Sequence, residues 1–205
     1  DWGMATEALK TAMEEKGMYF KINEGDGAFY GPKIDFHLRD SLDRTWQCGT
    51  IQLDFQMPEL FDLTYVGEDG EKHRPVMIHR VVFGSMERFF GILTEHYAGA
   101  FPVWLAPIQS RIIPITERHH DYAKYVAEQM KMAGIRVEVD ARSEKMGYKV
   151  REGQLQKIPY LLVVGDKEAE ARTVSIRRHK EGDAGSQSLH EFVSYLSGEI
   201  ANRHN

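Results

Sequence analysis

The sequence predicts an α+β portion built on an antiparallel sheet, followed by an α/β domain whose sheet is parallel or mixed. Two observations carry this prediction. In the first hundred or so residues, short β-rich runs are separated by turn residues and closed by a helical pattern, whereas beyond residue 107 apolar strands alternate with helices. A length of 205 residues, 42% hydrophobic and 28% charged, leaves room for two ordinary domains and argues against disorder.

Ala5, Leu9, Ala12 and Met13 recur at helical spacing among charged residues, so residues 4–16 are predicted as an amphipathic helix that Gly17 ends. Residues 20–22, 33–38, 45–55 and 76–83 are β-rich and separated by Gly-Asp-Gly, Arg-Asp-Ser and Gly-Glu-Asp-Gly turns, the pattern of an antiparallel sheet. After Gly84 the period lengthens, and Met86, Phe89, Phe90, Leu93 and Tyr97 fit a helix reaching Gly99. Residues 102–107, bounded by prolines, form a short linker, which divides the chain into expected domains 1–103 and 104–205. Beyond it, strands 108–115, 136–139, 160–164 and 174–177 are predicted with helices 119–132, 144–156 and 189–202. That order implies a mostly parallel or mixed sheet covered on both faces.

Composition narrows the function. The apolar runs fall far short of the ~18 residues that a membrane helix needs, and the first residues lack a signal-peptide layout. A single cysteine, Cys48, excludes an internal disulfide and a cysteine-rich zinc module, so a cytoplasmic protein is expected, with no membrane partner. The net charge of -5 argues against a generic nucleic-acid coat, but it is uneven. Residues 1–109 hold 10 Lys and Arg against 17 Asp and Glu, and residues 110–205 hold 16 against 14, so the second part is the better candidate for meeting phosphates.

The most informative run is Val76-Met-Ile-His-Arg-Val-Val-Phe-Gly-Ser-Met-Glu-Arg88, continued by Phe89-Phe-Gly-Ile-Leu-Thr-Glu-His-Tyr97. A strand that ends in Gly-Ser and turns directly into a helix puts Arg88 in the first helical turns. Backbone N–H groups and the helix dipole favour an anion there. Arg88 is therefore a candidate phosphate ligand; the alternative is a surface ion pair with Glu87, Glu95 or Asp54. His79, on the strand, reads by itself as a hydrogen-bonded core residue, because a zinc site needs three or four ligands. Residues 50 and 52 share one strand face, while Gln47, Gly49, Ile51 and Leu53 alternate along 45–55 and read equally as packing. Arg142, Lys145, Lys149, Arg151, Lys157, Arg177 and Arg178 form a basic series that reads by itself as a solvated face.

The run at 76–98 resembles motif 3 of the class II aminoacyl-tRNA synthetases. Its wording, Ile-His-Arg followed by Gly-Ser-Met-Glu-Arg-Phe and Gly-Ile-Leu-Thr-Glu, is similar to the threonyl-tRNA synthetases in particular. The resemblance extends to Gly27-Ala-Phe-Tyr-Gly-Pro-Lys-Ile34, to Trp46-Gln-Cys-Gly-Thr-Ile-Gln-Leu-Asp-Phe55 and to Arg142 through Asp166, and so spans nearly the whole chain. It implies the C-terminal portion of a class II antiparallel-sheet catalytic domain over 1–103, then a mixed-sheet α/β anticodon-binding domain over 104–205.

The resemblance also implies roles. Arg88 would bind the terminal phosphate of ATP, carried with Mg2+, and hold it bent for in-line attack by the threonine carboxylate. Lys33 would be catalytic beside it, with Gln47 and Thr50 near the adenylate or the tRNA terminus. Tyr30, Gln52 and Ser85 would line the threonine pocket. His79 matches the last of three zinc ligands, one Cys and two His, the zinc taking the threonine amino and hydroxyl groups and so rejecting valine. The other two ligands are expected upstream of this chain, since Cys48 does not match the ligand cysteine. Arg151, Glu168 and Arg177 match positions that read anticodon bases, while Ser143 and Lys157 stand where asparagine and arginine are usual. Implied partners are tRNA(Thr), ATP, threonine and, in the full-length protein, a second copy in a homodimer. Motifs 1 and 2 are missing from these residues, so the chain alone is expected to be inactive. Competing readings are a non-catalytic tRNA- or partner-binding paralogue and a prolyl enzyme; His79 with Arg88 speaks against the first, and the Ile-His-Arg and Trp-Gln-Cys-Gly-Thr wording against the second.

Overall fold

The computed structural model describes residues 2–203; Asp1, His204 and Asn205, the outermost ends of the two expected domains, lie outside the described residues. The chain divides into two compact units, Asp1–His96 and Tyr97–Asn205. Among the described residues no helix is long and apolar enough to cross a membrane.

The first unit opens with α1 (Trp2–Glu15), which closes where Gly17 takes φ +63° and the Gly17 and Met18 N–H groups bond back to Glu14 and Met13. Strands β1 (Lys33–Arg39) and β2 (Thr45–Asp54) follow, then α2 (Gln56–Leu60) and a two-stranded hairpin of β3 (Tyr65–Val66) and β4 (Lys72–His73). Strand β5 (Met77–Val81) leads into α3 (Met86–His96). The sheet is antiparallel in the order β1-β2-β5.

Register decides what this sheet presents. Lys33 pairs with Gln52 and Gln52 with His79; Asp35 pairs with Thr50 and Thr50 with Val81. Directly opposed residues point to the same side, so Lys33, Asp35, Thr50, Gln52 and His79 share one face. Between Phe36 and His37 the partner shifts from Gly49 to Gln47, a bulge that leaves Cys48 as the extra residue of β2. One extra residue reverses the alternation and brings Gln47 to the face of Thr50 and Gln52.

Residues 20–22, expected as a strand, pair with no neighbouring strand, and Ile22 is largely exposed; without a ladder partner or a buried face, β propensity alone does not make a strand. Helix α3 stops at His96, short of the expected Gly99, because Ala98 and Gly99 both take positive φ.

The second unit runs β6 (Ser110–Pro114), a 3-10 turn (Glu117–His119), α4 (His120–Met132), β7 (Val137–Val139), α5 (Met146–Leu155) and β8 (Tyr160–Val164). It continues with α6 (Asp166–Ala171), β9 (Thr173–Arg178), β10 (Gly182–Ser188) and α7 (Leu189–Ala201). The sheet order is β10-β9-β8-β6-β7, with β6, β7 and β8 parallel and β9 and β10 antiparallel to their neighbours. Both faces are covered. Ile112, Leu162 and Val164 meet Ala123, Val126 and Met130 of α4 and Phe192 and Leu196 of α7; Ile113, Leu161 and Val163 meet Ile158 and Val150 on the other side. A strand buried on both faces has no polar side to show, which is why β8 is an unbroken apolar run.

Candidate functional site

The open face of the first unit's sheet gathers the polar residues into two groups. At one end, Tyr30 Oη donates to Gln52 Oε1 at 2.6 Å and its ring lies 5.7 Å from the His79 ring. His79 Nε2–H donates to Asp54 Oδ2 at 2.8 Å. Tyr30 is held by a close approach: a Cβ on Gly31 would lie 2.0 Å from the Leu53 carbonyl oxygen, and Leu53 and Phe55 donate their N–H groups to Pro32 and Tyr30.

At the other end, Asp35 accepts from Lys33 Nζ at 2.7 Å and from Gln47 Nε2 at 2.7 Å. Burial would raise the Asp35 carboxyl, but the Lys33 ammonium leads the contacts that outweigh it and hold it below its ordinary value. The same carboxylate, against the cost of burial, holds Lys33 above its own. Thr50 Oγ1 is buried on this face, where it adds to the groups that lower the Asp35 carboxyl.

Arg88 reaches the second group from α3, its Nη2 donating to the Gln47 carbonyl at 2.6 Å. Gly84, at φ +67°, makes this possible, since a Cβ there would sit 2.8 Å from the Cys48 carbonyl oxygen and 3.0 Å from Arg88 Nη2. None of the three carboxylates that could have neutralised Arg88 does so. Glu87 accepts from Ser85 Oγ, Glu95 pairs with Arg44, and Asp54 is taken by His79. Arg88 is thus an exposed guanidinium without an ion pair among the described residues. Ser85, expected with Tyr30 and Gln52, makes no hydrogen bond to either among the described residues and accepts the Arg88 N–H at 3.3 Å at its own helix start.

Two residues of this face escape the sequence reading. Asp35 joins Lys33 to Gln47, and Asp54 holds His79. The signal for both was the period of two: Lys33 and Asp35, and likewise Thr50, Gln52 and Asp54, recur on one face.

Among the described residues no three His, Cys, Asp or Glu side chains gather as a metal site. His79 fits one corner of such a site: a carboxylate takes Nε2–H, so the lone pair rests on Nδ1, which has no partner among the described residues. Burial alone would raise the Asp54 carboxyl, but His79 and the Met57 and Gln56 N–H groups hold it below its ordinary value, so it stays an acceptor.

In the second unit no hydrogen bond or ion pair among the described residues joins the five expected base readers. Ser143 lines a cleft of about 370 Å3 with Thr116, His120, Lys145 and Lys149, outside the carboxyl ends of the parallel strands. Glu168 reaches back from the first turn of α6 to accept the Gly165 N–H at 2.9 Å, and Lys157 donates to the Ala98 carbonyl. Arg177 pairs with Leu161 across the ladder, so it projects to the face that α5 covers, and it lies 3.6 Å from Asp183. The Arg151 side chain, on α5, has no ion pair or hydrogen bond among the described residues.

These two units define a class. Residues 3–97 match the class II tRNA synthetase core domain of the glycyl, histidyl, prolyl, seryl and threonyl type, and residues 109–199 match the anticodon binding domain. The chain is 70% identical over 202 residues to the threonine–tRNA ligase of Syntrophomonas wolfei and 66% identical over 205 residues to that of Acetivibrio thermocellus. It spans 98% and 100% of itself in these comparisons but only 32% of the length of each relative. A crystal structure described as the RNA binding domain of threonyl-tRNA synthetase from Cryptosporidium parvum superposes with a TM-score of 0.86 at 40% identity, covering 97% of this chain and 50% of that one. The chain belongs to the threonyl-tRNA synthetase family.

Proposed function

We propose that this chain is part of a threonine–tRNA ligase, a cytoplasmic, homodimeric enzyme of its relatives' length that activates threonine with ATP and transfers it to tRNA(Thr). The observation that carries the reading is the unpaired Arg88 beside a face where Tyr30, Gln52 and His79 converge.

On this reading Arg88 binds the γ-phosphate of Mg-ATP and holds the nucleotide bent. The threonine carboxylate attacks the α-phosphorus in line, pyrophosphate leaves, and the 3′-terminal ribose of tRNA then takes the acyl group. Positioning and charge do the work, and no covalent nucleophile is needed. Lys33 and Gln47, tied together through Asp35, face the phosphates and the adenylate or the tRNA terminus, with Thr50 Oγ1 beside them. Tyr30, Gln52 and Ser85 bound the threonine pocket. His79 is one zinc ligand, the others coming from outside this chain; when bound, zinc supplies a Lewis-acid centre for the threonine amino and hydroxyl groups. In the second unit Arg151, Glu168 and Arg177 read anticodon bases, with Ser143 and Lys157 nearby in sequence and lacking the planar groups of Asn and Arg.

The test is threonine-dependent ATP–pyrophosphate exchange by the full-length protein, with zinc content measured alongside. The parent should hold about one zinc per chain and exchange only with threonine. Arg88→Ala should lower exchange on the order of 10²-fold, and His79→Ala should lose both metal and exchange. Undiminished exchange without zinc would sink the threonyl reading, and no exchange by the parent would leave a binding paralogue.

A further inference from the structure

Asp54 is a carboxylic side chain only 1% exposed. Its Oδ1 accepts the N–H groups of Gln56 and Met57, both at 2.9 Å, and so fixes the start of α2. That task needs only one oxygen, and an asparagine or a serine performs it as well. The second oxygen, Oδ2, has a single partner among the described residues, the half-exposed ring of His79. A buried carboxylate is costly to keep for a bond that the fold does not require. The bond does have a chemical consequence: it fixes the proton on Nε2, leaves the lone pair on Nδ1, and makes the imidazole a better donor toward a cation.

Each joint is a ladder pair or a hydrogen bond. His79 stands opposite Gln52 in the ladder, and Gln52 is gripped by Tyr30 at 2.6 Å. Asp54 stands two residues beyond Gln52 on the same face of β2, so it meets His79 diagonally across the strands. We infer that Asp54 is the positioning residue of the proposed zinc site, holding the His79 imidazole in the tautomer and orientation that present Nδ1 to the metal. The inference rests on the zinc reading of His79 given above and adds to it the group that makes the ligand competent.

Asp54→Asn is the discriminating change. The asparagine keeps an oxygen for the Gln56 and Met57 N–H groups but turns its amide N–H toward His79, so Nε2 becomes the acceptor and the ring proton moves to Nδ1, where the lone pair is needed. The full-length protein, its Asp54→Asn and Asp54→Ser variants and His79→Ala are each titrated with zinc alone against a competing chelator, and the melting temperature of each metal-free protein is recorded. Zinc affinity of both Asp54 variants should fall roughly 10- to 100-fold, with metal-free melting close to the parent's and the KM for threonine raised more than that for ATP. If His79→Ala binds zinc like the parent, the zinc reading itself fails. If His79→Ala loses zinc while either folded Asp54 variant binds it as tightly as the parent, the Asp54 inference alone is overturned. If neither Asp54 variant folds, the carboxylate belongs to stability and the inference is equally overturned.

Discussion

Single atoms decide how the first unit's face is assembled. Gly31 carries no positive φ, so a side chain there meets no backbone strain; what excludes one is the Leu53 carbonyl oxygen, 2.0 Å from where a Cβ would stand. A methyl group cannot displace a backbone oxygen that belongs to β2 without moving the strand or the Tyr30 loop. Gly31→Ala should therefore raise the KM for threonine in the exchange reaction by about tenfold or more, through a Tyr30 hydroxyl shifted off Gln52, while the KM for ATP changes little. Displacements of order 1 Å in a positioned group cost that much. An unchanged threonine KM would show that the loop yields and that the Tyr30–Gln52 contact is dispensable. Arg88 illustrates the complementary case, in which what matters is a bond not made. Its charge is left over because Glu87, Glu95 and Asp54 are each held elsewhere.

Elements were legible to the extent that their pattern is local. Strand β8 agrees with expectation to the residue because Tyr160–Val164 is an apolar run between Pro159 and Gly165; α4 agrees but for His119, which ends the preceding 3-10 turn, because its apolar positions recur at helical spacing. Strand β10 was missed for the opposite reason. Gly-Asp-Ala-Gly-Ser-Gln-Ser has no β-branched or aromatic residue and is a strand only because β9 offers it a ladder. Helices α2 and α6 and the β3–β4 hairpin, all of six residues or fewer per element, left no period to read. The candidate site divides the same way. Residues 50 and 52 share a face by simple alternation, but Gln47 reaches that face only through the bulge at Cys48, which depends on the partner strand's register. The packing of α5 on β8 offers an element-scale test. A Cβ at Gly153 would lie 2.6 Å from Leu161 Cδ2, against a side chain that is itself 1% exposed. Gly153→Ala gains helix propensity yet should destabilise the second unit by about 1–3 kcal/mol, read as a lowered melting temperature, because overpacking outweighs the propensity term.

At the scale of the whole molecule the two units differ in how they treat apolar and charged surface. The first leaves Ile78, Val82, Phe83 and Phe90 exposed and buries few residues, whereas the second closes a core on both sides of its sheet. In that second unit, charges are mostly answered from within. Arg142 holds the Asp140 carboxyl below its ordinary value, outweighing its burial. A group depressed in the folded state lends stability that is present above its unfolded value, near 4, and lost as pH falls through the native value. Asp140→Asn should thus lower the melting temperature at pH 7, and the gap to the parent should narrow toward pH 3; a constant gap would show that the ion pair contributes nothing that titrates. The same internal answering limits what remains for RNA. Of the seven cations in the basic series, Arg142, Arg177 and Arg178 face carboxylates, and Lys149 and Lys157 donate to backbone carbonyls. The Lys145 and Arg151 side chains have no ion pair or hydrogen bond among the described residues. If base contacts rather than bulk attraction hold the anticodon, binding of an anticodon stem-loop RNA should depend only weakly on salt. The slope of log affinity against log salt should be about -1 to -2, since each neutralised phosphate contributes roughly -0.7 to -0.9. Arg151→Ala then separates two roles. As a base reader it should cost about 1–3 kcal/mol with the slope preserved; as a phosphate contact it should flatten the slope by about one and weaken every RNA sequence alike. A parent slope of about -5 or steeper would mean that phosphates, not bases, hold the RNA, and the base-reading roles of Arg151, Glu168 and Arg177 would fall together.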